Sequence, residues 1–320
     1  MSVRVAAARV RALVLTLISF LVVAGAATGC AGGEDDRPRV VVTTNILGDI
    51  TREVVGDEAG VSVLMRPNAD PHSFGLSAVQ AAELENADLV VCNGLGLEEN
   101  VLRHVEAART SGVATLAVGE AVDPLRFRAG DDGRPADDEG EPDPHFWTDP
   151  DRVRKAVGLI ADRVVEHVDG VSEKAVRDNA ARYDGRLADL TTWMETSFAA
   201  IPEDRRALVT NHHVLGYLAD RFGFRVIGAV VPSGTALASP SSSDLNSLVR
   251  AMEKARVRTV FADSSQPTRL AEVLRRETGG DVDVVPLYSE SLTEKGKGAG
   301  TYLEMMRANT TAMAASLGGN

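Results

Sequence analysis

Residues 172–202 read SEKAVRDNAARYDGRLADLTTWMETSFAAIP. Val176, Ala180, Tyr183, Leu187, Leu190, Met194 and Phe198 step along this stretch by four, three, four, three, four and four, the spacing of one face of a single helix. Ser172 suits the N-cap, Glu173 supplies a first-turn acid, and Pro202 stops the helix. At 1.5 Å per residue such a helix is roughly 40 Å long, the length of a whole lobe. A rod of this kind resists the large hinge motion that a flexible linker would allow.

On either side of it, short β-branched runs alternate with amphipathic stretches. Before it, strands are expected at Val40–Thr44, Val61–Met65, Asp88–Asn93 and Ala114–Val118, with helices near Leu47–Val55, Ser77–Asn86 and Leu97–Ala108. After it, strands are expected at Arg206–Thr210, Arg225–Val231, Arg258–Ala262 and Val282–Pro286. The helices there fall near Val214–Phe222, Asp244–Ala255, Thr268–Thr278 and Tyr302–Ala315. Continuous apolar strands spaced by helices imply parallel sheets covered on both faces. The expected fold is α/β: two Rossmann-like βα lobes, residues 38–171 and 202–320, joined by one long rigid helix at 172–201. Ala129 to Asp143, rich in Asp, Glu, Gly and Pro, reads as a solvated acidic loop.

The first 29 residues stand apart. Arg4, Arg9 and Arg11 form a positive start without an acid, Ala12 to Ala24 is almost wholly apolar, and Ala26-Ala27-Thr28-Gly29 supplies small residues before Cys30. This is the layout of a secretory signal. A cysteine in that place makes it similar to a bacterial lipoprotein signal, in which Cys30 would be lipidated and anchor the mature chain to membrane lipid. Ala27 stands where such signals usually carry Leu. An uncleaved anchor helix is the alternative, and the Gly/Asp-rich tether at 30–37 favours the lipoprotein. Either way the folded part lies outside the cytoplasm. Losing residues 1–29, with their three Arg and no acid, takes the net charge from −12 to −15. An acidic chain without a basic stripe argues against nucleic acid as a partner. With Cys30 acylated, Cys92 is left alone in an apolar run, so no disulfide framework is available.

The six histidines are His72, His104, His145, His167, His212 and His213. Two share a setting: Asp70-Pro71-His72-Ser73-Phe74 and Asp143-Pro144-His145-Phe146-Trp147 both present Asp-Pro-His-x-aromatic. Proline fixes the chain ahead of each ring and disfavours helix before it, so each imidazole rides an ordered turn. Asn211-His212-His213 follows the first strand of the second half. Strand exits are where parallel-sheet proteins bind ligands. Imidazoles converging there suit Zn²⁺, Cu²⁺ or Ni²⁺ better than Mg²⁺ or Ca²⁺.

Taken in order, these segments resemble the metal-binding solute receptors of zinc and manganese ABC importers, over the whole mature chain. Thr43-Thr44-Asn45-Ile46 is similar to the family's opening, and Asn93-Gly94-Leu95-Gly96-Leu97-Glu98 to its segment after the third strand. His212 through Tyr217 resembles its third ligand loop, Leu287-Tyr288-Ser289-Glu290-Ser291-Leu292 its fourth, and Thr301-Tyr302-Leu303-Glu304-Met305-Met306 its terminal helix. The resemblance implies metal ligation by His72, His145, His212 and Glu290, with His212 chosen over His213 by its four-residue spacing to Gly216. Many relatives carry Asp where Glu290 stands. His104 and His167 match no ligand motif and read as structural. Three histidines and one carboxylate are similar to the zinc type; manganese receptors usually put a second carboxylate in place of the third histidine. No histidine enriches the loop before His145, as it often does in zinc receptors.

The resemblance implies a monomeric receptor without catalysis that hands metal to a permease and its ATPase, both separate chains. A manganese-specific receptor is the alternative within the family. From other classes come a secreted zinc hydrolase with Glu290 as general base, for which no His-Glu-x-x-His helix or Gly-x-Ser-x-Gly turn is present, and a surface adhesin with a structural metal. Ser289–Gly300, rich in Gly and Lys, is the segment expected to be mobile without metal.

Overall fold

The computed structural model describes residues 37–127, 140–231, 242–265, 269–280 and 282–318. The signal at 1–29, Cys30 and most of the acidic loop at 129–143 lie outside them.

Two four-stranded sheets, parallel throughout, carry the molecule. The first holds β1 (Arg39–Val42), β2 (Gly60–Val63), β3 (Leu89–Cys92) and β4 (Ala114–Ala117) in the order β2-β1-β3-β4. The second holds β5 (Ala207–His212), β6 (Arg225–Val231), β7 (Thr259–Asp263) and β8 (Asp283–Leu287) in the order β6-β5-β7-β8. Val40, Val41 and Val42 and all four residues of β3 are buried, because helices cover both faces. Those helices are α1 (Asn45–Val55), α2 (Ala78–Glu85), α3 (Glu99–Thr110) and α4 (Val118–Ala121) in the first half. In the second they are α7 (Gly216–Phe222), α8 (Ser242–Ala255), α9 (Arg269–Glu277) and α10 (Tyr302–Gly318).

Between the halves run α5 (Pro150–His167) and α6 (Glu173–Ala199). Asp149 caps α5, with proline at its first position where no amide donor is missed. Ser172 caps α6 through the Ala175 amide at 3.3 Å. The seven expected face residues of α6 are all buried, joined by Thr191. That face packs against α1, α5 and α10, so it touches helices of both halves. Phe198 meets Phe222 and Phe224 edge-on at 5.1 and 5.0 Å. One apolar cluster therefore continues from Val40 in β1 through α6 to Leu208 in β5 and Met313 in α10.

Polar contacts close the two halves on each other at the strand exits. The Leu292 amide donates to Asn45 Oδ1 (2.9 Å), Asn45 Nδ2 donates to Ser291 Oγ (2.8 Å), and the Asn68 amide donates to the Leu292 carbonyl (2.9 Å). The Tyr302 amide donates to Asp49 Oδ2 at 2.8 Å. From Pro38 onward the chain forms one compact unit.

One boundary shifts informatively. β5 runs two residues beyond its expected end, to His212, which pairs with Val231 of β6. Asn211 looks like a loop residue, but its side-chain oxygen accepts the Asp263 amide of β7 at 3.0 Å and extends the sheet. In each sheet the strand order reverses direction next to the first strand, between β1 and β3 and between β5 and β7. Such switch points leave a crevice beyond the carboxyl ends of the strands.

Candidate metal centre

The repeated Asp-Pro-His has one local explanation. Asp70 Oδ1 accepts the His72 amide at 2.9 Å, and Asp143 Oδ1 accepts the His145 amide at 2.9 Å. Both are Asx turns, in which the aspartate closes on the backbone two residues ahead while proline holds the chain between. The first turn follows β2 and the second enters α5 through a 3₁₀ turn at Phe146–Thr148. His212 is the last residue of β5. Glu290 lies three residues past the end of β8.

These four side chains, from four distant stretches, meet. Glu290 Oε1 lies 3.0 Å from His72 Nε2, 3.1 Å from His145 Nε2 and 2.8 Å from His212 Nε2. The imidazole centroids form a near-equilateral triangle with sides of 5.5, 5.6 and 5.5 Å. None of the four residues is more than 1 % exposed. The Nε2 atoms of His72 and His145 stand 3.4 Å apart. Two nitrogens bound at about 2.0–2.1 Å to one tetrahedral ion are separated by about 3.3–3.4 Å. Glu290 Oε2 is buried without a hydrogen-bond partner. A buried carboxylate with one oxygen shared by three rings and the other unsatisfied is costly, and a cation among the four resolves it. Among the described residues this is the one group of His, Cys, Asp and Glu placed to hold a metal ion.

A sequence model described as ZnuA, zinc-uptake complex component A, periplasmic, matches residues 40–316. The chain belongs to this family. It is 27% identical over 304 residues to the manganese-binding lipoprotein MntA of Halalkalibacterium halodurans, covering 93% of this chain and 96% of that protein. It is 28% identical over 288 residues to the zinc-binding protein TroA of Treponema pallidum, covering 88% and 90%. The solved structure of the Treponema pallidum protein superposes with a TM-score of 0.78 at 25% identity, covering 88% of this chain and 99% of that one. A manganese-bound periplasmic metal-binding protein from Candidatus Liberibacter asiaticus gives 0.76 at 25% identity, covering 88% and 100%.

ZnuA-family membership makes the chain an extracytoplasmic, membrane-anchored solute-binding lipoprotein of an ABC metal importer. It is a transport receptor rather than an enzyme, and it binds a divalent transition metal between its two lobes. The names of its relatives span manganese, zinc and iron, so the choice of metal rests on the donors themselves.

The surroundings of the centre tune and position it. Asp143 Oδ1 also accepts His145 Nδ1–H at 2.8 Å, which fixes the tautomer and turns the Nε2 lone pair inward. Burial pushes the His145 pKa down, but its bonds to Asp143 and Glu290 and their charges outweigh that and lift it from 6.5 to about 9. Burial pushes the Glu290 carboxyl up; the charges of His212 and His72 and the bonds from His145 and His212 hold it well below the usual range. Tyr217 OH donates to the Asp143 carbonyl at 2.7 Å, and Trp147 Nε1 donates to the Ser289 carbonyl at 2.8 Å, tying the second ligand loop to the fourth. A Cβ on Gly216 would stand 2.6 Å from Asp143 Oδ2, so the glycine makes room for the aspartate that steadies His145.

Asp263 escaped the sequence reading. At the exit of β7, its Oδ2 accepts the Ser289 amide (3.1 Å), the Ser289 hydroxyl (2.5 Å) and the Glu290 amide (3.1 Å), so it sets the backbone from which Glu290 reaches inward. Burial and the neighbouring Glu290 charge push its carboxyl up. Its only signal was its place at a strand exit. Glu98, within the quoted third-strand segment, is buried and accepts the Thr43 hydroxyl (2.6 Å) and the amides of Asn93 (2.7 Å) and Gly94 (3.2 Å). His213 is buried but outside the four-residue cluster. His104 sits in α3 and His167 in α5, both away from it.

Proposed function

We propose that the cargo is Zn²⁺, bound by Nε2 of His72, His145 and His212 and by the carboxylate of Glu290. The single observation that supports this is the convergence of three imidazole Nε2 atoms on one buried carboxylate oxygen. Three nitrogen donors with one oxygen suit Zn²⁺; harder Mn²⁺ favours more oxygen and lies below Zn²⁺ in intrinsic affinity. Neutral rings and an ionised Glu290 leave the zinc-loaded site with a single net positive charge, and acidification releases the ion as protons reclaim the rings. Cys30 carries the lipid that holds the receptor to the membrane. Lobes at 38–171 and 202–320 deliver the ion to a separate permease driven by its ATPase.

The test is a competition titration of metal-free protein with Zn²⁺, Mn²⁺ and Ni²⁺, repeated on His72→Ala, His145→Ala, His212→Ala and Glu290→Ala. One Zn²⁺ per chain, preferred over Mn²⁺ and weakened in every variant, is expected. Mn²⁺ binding more tightly than Zn²⁺ would reassign the cargo.

A further inference from the structure

The amino-terminal ends of β5 and β7 and the turn into β6 open on a concavity of about 600 Å³, at the end of the second lobe away from the metal centre. Arg205, Arg225, Lys254, Arg256 and Arg258 line it, and Asp204 is the one acid among its lining residues. All five cations are exposed, and among the described residues none of them forms an ion pair. They gather here in a chain whose net charge is −12. Lys254, Arg256 and Arg258 alternate within five residues of sequence, and the fold brings Arg205 and Arg225 to them.

Five cations crowded around a single acid repel one another. A helix carboxyl end attracts positive charge, which accounts for Lys254 in the last turn of α8, for Arg256 just after it and for Arg205, whose Nη1 donates to the Gly318 carbonyl that ends α10 (3.3 Å), but not for Arg225 or Arg258. Arg256 carries a second, independent signal. It closes α8 in the left-handed conformation, φ 56°, with its amide on the Glu253 carbonyl (3.2 Å) and the Val257 amide on Met252 (3.0 Å). Glycine takes this position at the ends of α7 (Gly223) and α9 (Gly279), as sterics favour. At α8 an arginine holds it against that preference, and strain of this sort clusters where a ligand is met.

We propose that this concavity binds a phosphate-bearing anion. Four of the five cations are guanidinium groups, whose planar forks fit phosphate oxygens in pairs. The phosphate is either free or carried on a lipid headgroup of the membrane that anchors the chain. The site lies the length of β5 from His212, so it works independently of the metal.

The test uses the zinc-loaded mature chain in two arms. One is calorimetric titration with pyrophosphate at low and moderate salt. The other is co-sedimentation with neutral phosphatidylcholine vesicles and with vesicles containing phosphatidylglycerol. Binding in either arm, weakened by salt, is expected. Pyrophosphate alone marks a free anion, and retention on anionic vesicles alone marks headgroups. Arg225→Glu with Arg258→Glu should abolish binding with zinc affinity unchanged. Arg256→Gly relieves the left-handed strain, so it should weaken binding about tenfold at equal or higher Tm. If the double variant fails to fold, Arg256→Gly alone decides. No binding in either arm, or binding unchanged in Arg256→Gly, overturns the proposal.

Discussion

Asp143 shows how much of the centre depends on a residue that touches no metal. Its one Oδ1 holds both the backbone and the Nδ1 of His145. Asp143→Asn should therefore weaken zinc binding about 10- to 100-fold without unfolding the chain, as competition titration beside a thermal melt will show. The pH response of the metal-free protein follows from the same contacts. A His145 pKa raised from 6.5 to about 9 stabilises the fold fully below pH 6.5, and that contribution is lost as pH climbs through 9. Glu290, held low, contributes above its ordinary range and loses that contribution as pH falls below it. Burial lifts Asp49 from 3.8 to about 6, so its own loss with rising pH is complete before the His145 window opens. The Tm of metal-free protein should fall between pH 6.5 and 9, and saturating Zn²⁺ should remove the slope; a flat profile without metal would contradict the assignment.

At the scale of elements, most of the architecture was legible because period and punctuation agreed. The face of α6 was readable from spacing alone, since every apolar step fell on one side of a helix that Ser172 opens and Pro202 ends. Leu187→Ala, at a fully buried position on that face, should cost about 2–5 kcal/mol of stability yet leave zinc affinity per folded molecule unchanged. Denaturant melts paired with titration separate the two effects. The ligand turns were legible for a related reason, because Asp-Pro-His encodes an Asx turn within three residues. Asp263 and Asn45 were not legible in this way. Each acts on a segment far away in sequence, Ser289–Glu290 and Ser291–Leu292 respectively, and no local pattern records such a contact. The extension of β5 to His212 was hidden likewise, since it depends on a partner strand.

Over the whole molecule, two sheets share one apolar cluster through α6, and polar contacts cross between the halves at Asn45, Asn68 and Asp49. A body built like this is expected to answer metal by settling its loops more than by swinging its lobes. Hydrogen exchange should slow on zinc binding in Ser289–Gly300 and around the ligand turns while α6 stays unchanged; equal exchange in Ser289–Gly300 with and without zinc would count against it.

Three imidazoles and one carboxylate from four remote segments are expected to share a single ion. X-ray absorption at the zinc edge of the loaded protein reads that donor shell. Three imidazole nitrogens and the Glu290 carboxylate are expected at about 2.0–2.2 Å, with one imidazole lost in His212→Ala. A shell with fewer than three imidazoles, or one that includes sulfur, would contradict it.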